Sequence, residues 1–121
     1  MINGFDEITV ELNPQEFDIA LAVARSLQHR VGQEKAVTSK RMSKVIADRF
    51  NVVYKGARIR KIIQYIRLNG MVNGILIADN KGYYIETDKA KINKYIDSLR
   101  QREQAIAQMR IALEKQYNKL F

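Results

Sequence analysis

A chain of 121 residues with 46% hydrophobic side chains is long enough to bury one core and too apolar to be a disordered tail. It contains no cysteine, which excludes disulfide frameworks, thiolate metal sites and thiol nucleophiles. Its net charge of +8 is unevenly spread: −3 over residues 1–37, +8 over 38–70, −1 over 71–86 and +4 over 87–121.

The first residues, MINGFDEITVELN, are acidic and lack the basic and apolar blocks of a signal peptide. No apolar run approaches the roughly 20 residues that cross a bilayer. Both features, with the absence of cysteine, imply a cytoplasmic protein and no membrane partner. Asn13-Pro14-Gln15-Glu16 is a helix start, with Asn as cap, Pro in the first turn and Glu three residues on. Phe17, Ala20, Leu21, Ala24 and Leu27 then recur at helical spacing, predicting a first helix over about 14–30, stopped by Gly32. Val37 is placed in a short strand.

Thr38 or Ser39 caps a second helix over about 39–50, with Met42, Val45, Ile46 and Phe50 on one face. Asn51 to Gly56 forms a turn, and a third helix follows over about 57–69. Its inner face is Ile59, Ile62, Ile63 and Ile66 at i, i+3, i+4, i+7. Two short strands, about 74–78 and 83–87, flank the turn residues Asp79 to Gly82. Which of Tyr83 and Tyr84 faces the core stays open. From Asp88 to Phe121 there is neither Gly nor Pro, and good helix formers dominate. Uninterrupted, that helix is about 50 Å long at 1.5 Å per residue, too long to lie wholly on a small domain.

Three helices followed at once by a hairpin make the layout of a winged helix-turn-helix. The expected fold is therefore α+β and mainly helical: a winged helix-turn-helix domain over residues 1–87 and a long C-terminal helix over 88–121. In such a layout the third helix enters the DNA major groove and the hairpin tip lies along the backbone. The charge agrees, because the whole excess equals that of residues 38–70, and clustering of this kind is the footprint of a polyanion. With the isoleucines inward, Lys61 and Gln64 point away from the core, Arg60 and Arg67 flank one edge, and Arg58 and Tyr65 flank the other. Arg58, Lys61 and Gln64 are the candidate base readers. Lys40, Arg41, Lys44 and Lys55 are candidate phosphate contacts. Asn80 and Lys81 at the hairpin tip are candidate backbone or minor-groove contacts. Arg60 is a further DNA-binding candidate; Arg60 and Arg67, near the core boundary, have the alternative of laying their stems on apolar surface and pairing with acids of the first helix.

In the last helix Ile92, Leu99, Ile106, Leu113 and Leu120 recur every seven residues. The first two turns, with Ile92, Tyr95, Ile96 and Leu99, have a broad apolar face suited to packing on the domain. Beyond Arg102 the stripe narrows to a seam, predicting a homodimer through Leu99, Ile106, Met109, Leu113 and Leu120. A symmetric pair would address half-sites about one helical turn apart. Catalysis has little support: His29 is the only imidazole, no glycine-rich phosphate loop is present, and no metal spacing is found. A non-enzyme without cofactor or metal is the expectation.

The segments VTSKRMSKVIADRF, IRKIIQYIRLNG, KGYYI and YIDSLRQREQAI, in that order, resemble a group of small winged-helix proteins encoded in bacteriophages and prophages, often among replication and recombination genes. The resemblance spans about residues 13–110, and Arg60, Arg67, Gly82 and Tyr83 sit where it is most recognisable. It implies a winged-helix fold and a double-stranded DNA-binding role in replication, recombination or transcription control, in a bacterial or host-cell cytoplasm. The alternative is a protein–protein adaptor or inhibitor that uses the same scaffold to bind a host or replisome protein.

Overall fold

A computed structural model describes residues 11–121; the expectation that the first ten residues carry no targeting signal lies outside them. The chain is α+β and mainly helical, and it divides into two compact units, one ending at Thr87 and the other spanning Asp88–Phe121. Among the described residues no helix is long and apolar enough to cross a membrane.

Helix α1 spans Pro14–Leu27. Its start is a capping box: the Glu16 N–H donates to Asn13 Oδ1 at 2.8 Å, and the Asn13 N–H donates to Glu16 Oε1 at 3.1 Å. Ile19, Ala20, Val23, Ala24 and Leu27 are buried. Phe17 is not, contrary to its place in the predicted apolar face: it is 40% exposed and meets Tyr65 edge-on at 6.2 Å. The helix also ends at Leu27, three residues before the predicted end at about residue 30. Tertiary hydrogen bonds explain this, since the Arg30 carbonyl accepts from the Ile85 N–H at 2.8 Å and the Gly32 N–H donates to the Ile85 carbonyl at 2.9 Å. Backbone committed to the hairpin in this way cannot continue a helix. Gly32, at φ 99°, then leads into a single 3₁₀ turn, Gln33–Lys35.

Helix α2 spans Ser39–Phe50, and its cap is Thr38, whose Oγ1 accepts from the Arg41 N–H at 3.2 Å. Met42 and Ile46 are buried, but Val45, predicted on the same face, is half exposed. The helix closes on Asn51 in the left-handed region, a conformation that asparagine tolerates. Helix α3 spans Gly56–Leu68 and buries all four predicted isoleucines. Strands β1 (Ile75–Asp79) and β2 (Gly82–Glu86) pair antiparallel around the two-residue turn Asn80-Lys81, one residue from the predicted bounds. Val37 pairs with Tyr83, as its predicted strand position required, and Val31 adds an unpredicted parallel bridge to Ile85.

The core is formed by α1, α2, α3 and one hairpin face, that of Leu76, Tyr83 and Ile85. Because side chains alternate along a strand, Ile77, Tyr84 and Glu86 occupy the other face, and they are buried too. Both tyrosines are therefore buried, on opposite sides of the hairpin. Helix α4 spans Lys89–Leu120, starts at the Asp88 cap, whose Oδ2 accepts from the Lys91 N–H at 3.0 Å, and has no buried residue.

Candidate nucleic-acid interface

Two local constructions present the basic residues. At the start of α2, Lys40, Arg41 and Lys44 are all exposed. This end is tied to the hairpin: the Val37 N–H donates to the Tyr83 carbonyl at 3.0 Å, the Tyr83 N–H donates to the Val37 carbonyl at 2.9 Å, and Ser39 Oγ donates to Tyr83 Oη at 3.2 Å. The approach is close enough that only glycine fits at position 82, where a Cβ would run into the Val37 carbonyl and φ is +122°. Beside it, Arg60, Gln64 and Arg67 of α3 and Ala78 and Tyr83 of the hairpin line a shallow open groove. The α2 start, the hairpin and this wall of α3 are thus held as one surface.

On the other edge of α3 the charges are occupied. Glu16 is 2% exposed, and its carboxylate accepts from Arg58 Nη2 at 3.1 Å and from Lys61 Nζ at 3.1 and 3.2 Å. The Asn13 backbone N–H, opposed by burial and joined by Lys61 and Arg58, lowers the Glu16 pKa from 4.5 to about 2. The Arg58 guanidinium also stacks 4.5 Å from the centre of the buried Tyr54 ring, and the Tyr54 hydroxyl has no hydrogen-bond partner among the described residues. Ser43 Oγ donates to the Tyr54 carbonyl, joining α2 to the turn that precedes α3.

The predicted site residues therefore fall into separate groups. Arg60 and Gln64 line the groove beside the hairpin, and Lys40, Arg41 and Lys44 are exposed on the helix whose start is tied to it. Arg58 and Lys61 lean to the opposite edge and converge on Glu16. Two α3 cations, Arg58 and Lys61, thus pair with an acid of the first helix, a role the sequence had offered only as an alternative for Arg60 and Arg67. Lys55 is exposed at the α3 N-cap position, and Asn80 and Lys81 are exposed at the hairpin tip. There the Lys81 N–H donates to Asp79 Oδ1 at 2.8 Å, while Asp79 Oδ2 accepts from Tyr84 Oη at 2.9 Å and Gln33 Nε2 at 3.0 Å. Sequence reading missed Glu16 as the anchor of two α3 cations. A signal was present, because Glu16 lies four and seven residues before Ala20 and Val23, a carboxylate on the apolar face of its helix.

The predicted dimer residues Leu99, Ile106, Met109, Leu113 and Leu120 lie in the second unit, 39–76% exposed. Among the described residues no group of three or more His, Asp or Glu side chains is arranged to hold a metal ion. Comparison with protein-family models, curated proteins and solved structures finds no match.

Proposed function

We propose that this chain is a non-enzymatic winged helix-turn-helix protein of phage or mobile-element origin that binds double-stranded DNA in a bacterial cytoplasm and pairs through α4. The observation that carries the reading is the joint basic surface of α2 and α3, fastened to the hairpin through Val37, Ser39 and Tyr83. The order of helices, bridge and hairpin supports the same reading.

In this reading α3 enters the major groove, with Gln64 and Arg60 reading base edges. Lys40, Arg41, Lys44, Lys55 and Arg67 meet phosphates, which position the protein without specifying sequence. Asn80 and Lys81 approach the backbone at the tip. Arg58 and Lys61 are poorer readers than their helix positions imply, since leaving Glu16 would strand a carboxylate that is 2% exposed. Pairing rests on the seven-residue apolar repeat of α4, a pattern that packs against a second copy of itself.

The test is a gel-shift titration with mixed-sequence duplex DNA at two salt concentrations. Five or six phosphate contacts predict an affinity loss of about a thousandfold between 50 and 200 mM salt. Absence of any shift at low salt, or a loss smaller than about tenfold over that range, would refute the proposal.

A further inference from the structure

We propose that α4 pairs antiparallel with α4 of a second copy, in the register that sets Ile106 against Met109. This rests on the pairing of two chains through α4 in the reading above. The second half of α4 has a shallow groove lined by Ile106, Met109, Leu113 and Tyr117, with Arg110 and Glu114 at its rim. Taking Ile92, Leu99, Ile106, Leu113 and Leu120 as one seam row, the second row is Tyr95, Arg102, Met109 and Gln116.

The polar members of that row decide the orientation. Two parallel helices in register would set Arg102 against Arg102 inside the seam, a like-charge contact. Their flanking pairs would be Ser98 with Glu103, Ala105 with Arg110, and Ala112 with Tyr117, none of them oppositely charged. Antiparallel helices oppose one seam row to the other. The layers then become Tyr95 with Leu120, Leu99 with Gln116, Arg102 with Leu113, and Ile106 with Met109, each occurring twice. No polar seam residue meets itself, and Arg102 can lay its stem over Leu113 with its head in water.

The flanks fix the register. In this alignment Glu103 lies beside Arg110 of the second copy on one side, and Ala105 lies beside Ala112 on the other, where small side chains allow close approach. Sliding one helix by seven residues in either direction sets Glu103 against Glu103 or Arg110 against Arg110 at the two-fold axis. Arg110 also pairs with Glu114 of its own helix at 2.8 Å, but both are 60% exposed, and such pairs hold a side chain weakly. The alignment separates the two Asp88 positions by about 58 Å along the axis at 1.5 Å per residue. That separation exceeds the single turn of duplex, about 34 Å, between the half-sites of a simple symmetric pair.

The chain has no cysteine, so disulfide trapping has no background. Leu99→Cys and Gln116→Cys, carried on differently tagged full-length chains and coexpressed, should form a mixed disulfide under mild oxidation. Neither variant alone should cross-link, because like positions lie about 26 Å apart in this register. Self-cross-linking of either variant, or no mixed disulfide in a chain that light scattering shows to be dimeric, overturns the proposal. A monomer at every concentration overturns it together with the pairing, while the DNA titration decides separately whether the binding reading stands. Glu103→Arg should weaken the dimer about tenfold, and adding Arg110→Glu should restore it. An unchanged dimerisation constant for Glu103→Arg counts against the register.

Discussion

Replacing Glu16 by glutamine removes one charge and little else. Glutamine serves at the third position of a capping box, so the α1 cap should survive. What is lost is the anion between Arg58 and Lys61, leaving two cations on one side of α3 with nothing between them. The native carboxyl titrates near 2 instead of 4.5, which at about 1.4 kcal/mol per pH unit corresponds to about 3 kcal/mol. Because Arg58 and Lys61 are 51% and 41% exposed, solvent screening moves the figure toward about 2 kcal/mol. A loss of that size should lower the melting temperature of the globular unit by roughly 8–16 °C. Urea unfolding followed through the near-ultraviolet dichroism of the buried tyrosines measures it directly. The pH dependence supplies the sign. A folded-state pKa below the unfolded value means full stabilisation above about pH 5, lost as the pH falls toward 2. The gap between native chain and Glu16→Gln should therefore close over that window. A gap that is absent at pH 7, or that persists unchanged down to pH 2, refutes the ion-anchor reasoning.

Gly82→Ala should destabilise the globular unit by about 2–4 kcal/mol, because the new Cβ would lie 2.7 Å from the Val37 carbonyl carbon and φ is +122°. Urea titration checks this, and a loss below about 1 kcal/mol would mean that the hairpin and residue 37 are not so closely apposed. Lys61→Glu should lower the melting temperature in the absence of DNA, since it sets a second carboxylate against Glu16, at a cost of about 2–3 kcal/mol. Gln64→Ala, on the exposed side of the same helix, should change stability by no more than about 0.5 kcal/mol while weakening DNA binding. Equal melts for Lys61→Glu and the native chain would show that Glu16 does not depend on Lys61.

The elements that could be read from sequence are those whose signals are local. Thr38, Asn13 with Glu16, and Asp88 cap helices through contacts three residues along the chain, so their places follow from residue type and spacing. The isoleucines of α3 are buried because period 3.6 puts all four on one side, and any partner surface would bury them. Where a contact spans tens of residues, the same reasoning failed. The end of α1 is set by Ile85, more than fifty residues away, and the exposure of Phe17 and Val45 depends on which neighbours arrive beside them.

The sequence by itself determined the four α-helices and the hairpin, the basic character of the second and third helices, and the seven-residue stripe of α4, all properties of spacing and composition within one segment. Only the tertiary structure decided which of the basic residues stand clear. Helical geometry put Lys61 and Gln64 on the side away from the core and Arg58 on its edge, and it left all three as candidate base readers. The packing of α1 against α3 then brought a buried carboxylate to within 3.1 Å of two of the three. Helical spacing says which way a side chain leaves its own helix, but what it meets depends on another segment of the chain, and charges interact through space with no regard for their separation in sequence.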